Sequence, residues 1–131
     1  VADPWTITAR AAAGSPSSAT QAAPASAGTT TTTNRTVVRL RALQCRLSGS
    51  AAGTDLLVVR DGATGAGTII WQQDLSVPAN GSDSVNVTGL DLRATPGNGL
   101  TVEFVSGVAS DREDVNAQGD FVPQGYPIGQ P

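Results

Sequence analysis

The chain has 131 residues, a length for one domain, with 39% apolar, 4% aromatic and 15% charged residues. Its net charge is −3, its basic residues are all arginine and it has no histidine. That balance argues against nucleic-acid binding and removes the commonest general base and metal ligand together. A single cysteine excludes an intrachain disulfide. No apolar run approaches the roughly 20 residues of a membrane span, and no charged-then-apolar leader is expected to be retained.

Leu, Ile, Val and Phe number 28 of 131 residues, but 26 of them lie from Arg35 onward, so the core is expected there. Pro4–Arg10 alternates Trp5, Ile7 and Ala9 against Thr6, Thr8 and Arg10, which predicts a short strand or extended arm with one apolar face. Trp5 is its anchor, either capping the chain's own core or docking on a neighbouring subunit. Ala11–Thr33 is low in complexity: every residue except Gln21 is Ala, Ser, Thr, Gly or Pro. Such a stretch buries too little apolar area to offset its ordering entropy. It orders only when held, so residues 1–34 are expected to form an extended arm laid over a partner surface. Packing along its own domain is the alternative.

Arg35–Ser48 carries the longest strand signal. Val38, Leu40 and Ala42 keep one parity and Leu43, Cys45 and Leu47 the other, so a slip at Ala42-Leu43 predicts a β-bulge or bend. Arg39, Arg41, Gln44 and Arg46 stay on the opposite face, a basic stripe about 23 Å long at about 3.3 Å per residue. It is read as a solvated face, with a contact for an acidic protein partner and a contact for nucleic acid as the alternatives. Cys45, on the apolar parity, is expected to be a small buried hydrophobe rather than a nucleophile.

The segment Thr54–Leu75 is the central hairpin. Leu56–Val59 and Ile69–Trp71 are strand-like runs, and Asp61-Gly62 with Gly65 and Gly67 supplies the reversal. Turns follow at 77–81 and 95–99, each rich in Pro, Asn and Gly. Val85 and Val87 alternate with polar neighbours, and Leu100, Val102 and Phe104 form the cleanest strand. Ser106–Asp114 is expected to be polar loop, with Val115, Ala117, Gly119 and Phe121 a last strand. The proline-containing tail 123–131 is expected to be extended. The expected domains are thus an arm 1–34, a β-sandwich 35–122 and a tail 123–131. The expected fold is all-β, an antiparallel sandwich of jelly-roll or immunoglobulin-like kind, with Leu40, Leu56, Val58, Ile70, Val87, Leu100, Val102 and Phe104 buried.

No catalytic signature emerges. Asp111, Glu113, Asp114 and Asp120 do not follow the alternate spacing of a calcium loop, so no metal site is expected beyond a weak loop site. Serine and threonine are plentiful, but no Gly-x-Ser-x-Gly, histidine or lysine is present to activate one. The glycines 62–67 lack the lysine and helix of a phosphate loop. Asn-x-Ser/Thr triplets at Asn34, Asn80 and Asn86 arise readily in so Ser/Thr-rich a chain.

The runs T-V-V-R-L-R-A-L-Q-C-R-L, L-L-V-V-R-D-G-A-T, I-I-W-Q-Q-D-L and L-D-L-R-A-T-P-G-N-G-L-T-V-E-F resemble small β-sandwich head decoration (cement) proteins of tailed bacteriophages. The resemblance covers roughly residues 36–105 and lies in turn and core motifs. It implies a non-enzymatic jelly-roll-like virion protein that binds the outer surface of the phage head and reinforces the lattice of major capsid protein. It further implies self-association as dimer or trimer, with no cofactor, nucleic acid or membrane. Candidate partner contacts are Trp5, Ile7, Arg39, Arg41, Arg46 and Tyr126. The alternative is a carbohydrate-binding or adhesion module of a phage tail or bacterial surface protein, with Trp71 or Tyr126 as its aromatic platform. A secreted mucin-like stalk is disfavoured.

Overall fold

A computed structural model describes residues 3–23 and 36–128, and every element in it is a strand. These are β1 Asp3–Arg10, β2 Ser18–Gln21, β3 Thr36–Gly49, β4 Gly53–Asp61, β5 Thr68–Val77, β6 Gly81–Val87, β7 Leu92–Arg93, β8 Leu100–Phe104 and β9 Asp111–Pro123. All pairings are antiparallel. One sheet runs β1-β9-β3-β6, with β7 also on β3; the other runs β2-β8-β4-β5. Successive strands cross between the sheets except at the β4–β5 hairpin and the short β6–β7 step. This wrapping is the jelly roll, and it decides between the two sandwich types the sequence allowed.

The core lies between the sheets. β3 supplies Val38, Leu40, Leu43, Cys45 and Leu47; β8 supplies Leu100, Val102 and Phe104. The slip in β3 is a bulge between Leu40 and Ala42, one or two residues before the expected place. It restores inward parity for Leu43 onward. Opposite it sits Gly119, where a Cβ would overlap the Arg39 carbonyl oxygen and the Trp5 ring. Only glycine lets β9 pass between them.

Leu40, Leu100, Val102 and Phe104 are fully buried as expected. In β4, however, Leu57 and Val59 join the core cluster while Leu56 is half-buried; Val58 is buried but outside that cluster. A run of four apolar residues has no alternation to fix its register. Ile70 and Val87 are half-buried and pack against the core from its margin.

Two expectations are corrected. Residues 3–23 do not extend away from the domain: β1 pairs with β9 along eight residues, and β2 pairs with β8 along four. β1 has an apolar face to bury, and β2, nearly without apolar residues, is held mainly by backbone hydrogen bonds. Residues 1, 2 and 24–34 of the expected arm, Asn34 among them, and residues 129–131 of the expected tail lie outside the described residues. The second correction concerns Ser106–Asp114. β9 already begins at Asp111, leaving a short loop, because its first inward residues are acids rather than hydrophobes.

Candidate partner-binding face

Alternation along β1, β9, β3 and β7 sends one set of side chains away from the core. On the outer face of this sheet stand Arg10, Arg39, Arg41, Arg46, Arg93 and Arg112, with Asp91, Asp114 and Asp120. Six arginines against three aspartates give a local excess of three positive charges on a chain whose net charge is −3. Thr6, Thr8, Gln44, Asn116 and Gln118 lie between them, with Ala42 opposite Gln118, so the middle of the face is mainly polar.

The charges form two groups. Around Arg39, Asp120 accepts a two-pronged bond (Nε to Oδ1 2.7 Å, Nη2 to Oδ2 2.8 Å), and Asp91 stands 3.5 Å away. Arg39 has no exposed side-chain surface, although the stripe was expected to be solvated there. The reason is the tail. Tyr126 lies over the guanidinium at 5.4 Å, and Arg93 holds the tail by donating to the carbonyl oxygens of Tyr126 and Pro127. Residues 123–126 therefore turn back, with Tyr126 N bonded to Pro123 O, instead of running extended. Hydrogen bonding to Asp120 keeps Arg39 protonated above its ordinary range despite burial. Arg41 approaches the same carboxylate at 4.0 Å.

The second group is open to solvent. Arg10 donates to both oxygens of Asp114 (2.6 and 3.0 Å), and Arg46 and Arg112 flank it, both exposed. The Arg10 hydrogen bond, with the added charges of Arg10, Arg46 and Arg112, pulls Asp114 below the usual carboxylate range.

The six residues named from sequence divide accordingly. Arg39, Arg41, Arg46 and Tyr126 share this face. Trp5 and Ile7 point to the other side of β1: Trp5 is 7% exposed, belongs to the core and donates its indole N–H to Asp120 O at 3.0 Å. Ile7 packs against that core. Sequence reading missed Arg10, Arg93 and Arg112. The alternation Arg112-Asp114-Asn116-Gln118-Asp120 is the signal that would have placed Arg112, once β9 is extended to Asp111.

Other polar groups serve the fold. Asp61 receives the Thr95 hydroxyl (2.6 Å), the Thr95 amide and Asn98, which outweigh its partial burial and hold it below its ordinary range. Arg60 and Glu103 form a largely buried ion pair that also pins the hairpin loop through Gly65 N and Gly67 O. A shallow depression of about 330 Å³ lies nearby, lined by small residues with Thr20 and Asn98. Burial pushes the Cys45 thiol to about 11, so it is no nucleophile at neutral pH. Among the described residues, no group of three or more His, Cys, Asp or Glu is arranged to hold a metal ion.

No protein-family model matches the chain, and no curated protein matches it. Among solved structures, one similar chain is from cowpea mosaic virus top component, naturally occurring empty particles (12% identity, 100% of this chain and 90% of that chain, TM-score 0.45). Another is tobacco streak virus coat protein (10%, 96% and 90%, 0.37). A third is a family 11 carbohydrate-binding module from Clostridium thermocellum in complex with a beta-1,3-1,4-mixed-linked tetrasaccharide (7%, 88% and 82%, 0.36). At these scores the likenesses carry no argument; the jelly-roll assignment rests on strand order.

Proposed function

We propose that the chain is a non-enzymatic structural virion protein that docks on the outer surface of a phage capsid lattice and reinforces it. The outer face of the β1-β9-β3-β6 sheet meets an acidic patch of the coat subunits. One observation carries this reading: the excess of arginine gathered on one polar sheet face of an otherwise acidic jelly roll. Jelly rolls recur in capsid and lectin domains, so the fold admits the role without requiring it. The sequence resemblance to head decoration proteins points the same way.

The dimensions are adequate. β3 has 14 residues, so the face measures at most about 45 Å by about 19 Å, roughly 850 Å². A standard interface takes about 800 Å² from each partner. Arg10, Arg46 and Arg112 are the exposed charges that steer docking, while Arg39 and Tyr126 set the relief of the face. Repetition over a shell, as monomers or as dimers or trimers, turns modest single contacts into lattice reinforcement. The carbohydrate-binding alternative draws less support, because Trp71 packs against the core and Tyr126 covers Arg39, leaving no open aromatic platform.

Co-sedimentation with head shells at graded salt tests the proposal. Binding should saturate, weaken as salt rises and fall at least about tenfold in Arg46→Glu/Arg112→Glu, a loss of about 1.4 kcal/mol. Binding insensitive to both salt and charge reversal would remove this face from the interface. Failure to bind shells, with binding to polysaccharide instead, would favour the alternative.

A further inference from the structure

At the opposite end of the core from the Asp61 turn, three acids are buried together. Asp55 on β4 is 6% exposed, and Asp111 and Glu113 on β9 are fully buried. Ser17, just before β2, is 2% exposed and donates its amide to Glu113 Oε1 at 3.2 Å. Asp55 Oδ1 accepts from the amides of Leu56 and Ser106, and Asp111 Oδ1 from the amide of Ala51. Among the described residues no amide, hydroxyl or guanidinium donates to the second oxygen of any of the three acids, and the Ser17 hydroxyl has no partner, so only a proton shared between the acids can bond them to one another.

Among the described residues, the elements around the cluster bring no cation to it. β3 meets Glu113 and Asp111 with Leu47 and Gly49. Residues 11–17 and 105–110 contain no charged side chain. Asp83 on β6 accepts from the Ser76 and Ser84 amides, and Asp74 on β5 is exposed. Arg112, between the two β9 acids, faces outward with Arg10 and Arg46 around Asp114. Three carboxylates in apolar surroundings cannot all stay charged; at least one must hold a proton, whose O–H then donates to a neighbour.

The chain around the cluster is tied to it. Gly14 N bonds to Asp111 O and Phe104 N to Ser17 O. A Cβ on Gly107 would overlap the Gly14 carbonyl, so the β8–β9 loop lies directly on the 12–17 connector.

We propose that Asp55, Asp111 and Glu113 form a proton-held latch that fastens the 12–17 connector and β2 to the sandwich. The latch is closed while the cluster keeps a proton and loosens when that proton is lost. Glu113 is the seat of the proton: burial, the hydrogen bond to Asp55 and the charges of Asp55 and Asp111 push it up to about 9. β2 has only four paired residues to resist release, whereas β1 has eight. Alkaline conditions therefore free the connector and β2 while β1 stays on β9.

Hydrogen exchange of the full-length chain, corrected for intrinsic rates, tests the latch. Between pH 6 and pH 9 the protection of the Gly14 and Phe104 amides should fall at least about tenfold, since one lost proton changes the closing equilibrium by up to about tenfold per pH unit. Glu113→Gln should abolish that pH dependence. In the wild type a protonated-carboxyl infrared band should be present at neutral pH and vanish as pH rises through about 9, an observation needing no variant. Equal pH dependence in both proteins, or no such band, overturns the proposal. So does full restoration of protection at pH 9 by calcium after chelator treatment, which would make the cluster a cation site.

Discussion

Removing the Arg39 guanidinium tests whether the outer face is a built structure or a loose collection of surface charges. Arg39→Met keeps most of the stem and deletes the charge. In the folded protein it strips Asp120 of bonds at 2.7 and 2.8 Å and Asp91 of a neighbour at 3.5 Å. The two carboxylates, 15% and 12% exposed, are then left facing each other without the guanidinium that joins them, with Arg41 beside Asp120 and Arg93 beside Asp91. Breaking one side of a buried pair costs about 3–5 kcal/mol because the remaining charge is stranded. For a chain of this size that corresponds to a melting temperature lower by roughly 10–20 °C. Thermal unfolding by circular dichroism measures it. Pairing the change with Asp120→Asn should recover a large part of the loss, since the stranded charge is gone. An Arg39→Met protein within about 1 kcal/mol of wild type, or a double variant as unstable as the sum of the singles, would mean that Arg39 and Asp120 are not a coupled buried pair.

Four further outcomes follow from the packing and the titrating groups. Phe104→Ala, at a fully buried core position, should cost about 3–5 kcal/mol in urea unfolding, and Gly119→Ala about 3 kcal/mol or more by forcing β9 away from Arg39 and Trp5. Deleting residues 1–10 should lower the melting temperature by at least roughly 10 °C, because it removes the buried Trp5 and uncovers the β9 edge; an unchanged midpoint would return the segment to the status of a separable arm. Stability should peak near pH 5. Asp114 and Asp61 are depressed, so their contribution is present above about pH 4 and lost below it. Glu113 is raised, so its contribution is full below about 4.5 and declines as pH climbs toward about 9. A plateau from pH 5 to 9 in urea midpoints would contradict the Glu113 assignment.

Where side chains alternate and the connections carry glycine or proline, the sequence is legible. β3 announces its bulge through a parity slip, β8 its register through Leu100, Val102 and Phe104, and the β4–β5 hairpin its turn through Asp61-Gly62. Each of these signals is local. What escaped depends on distant partners. β2 contains one buried apolar residue, Ala19, and exists because β8 offers it backbone groups. Leu56 to Val59 are all apolar, so the face that turns inward is set by β5 and β8 rather than by the run itself. Asp111 and Glu113 occupy inward positions that hydrophobes usually mark, which disguises the start of β9 as a loop. The stripe Arg39, Arg41 and Arg46 was visible as a face, but nothing near Arg39 foretells that Tyr126, 87 residues later, covers it. For the same reason Trp5 suits both an internal and an external partner until β9 is placed beside it.

Attachment to a capsid lattice through the arginine-bearing sheet would leave a visible mark on the particle. Electron cryomicroscopy of head shells incubated with the full-length chain tests it most directly. Jelly-roll density should stand on the outer surface, with β1, β9, β3 and β6 toward acidic coat residues and Arg10, Arg46 and Arg112 at the contact. Bare shells at saturating protein, or density that turns the β2-β8-β4-β5 sheet toward the coat, would contradict it.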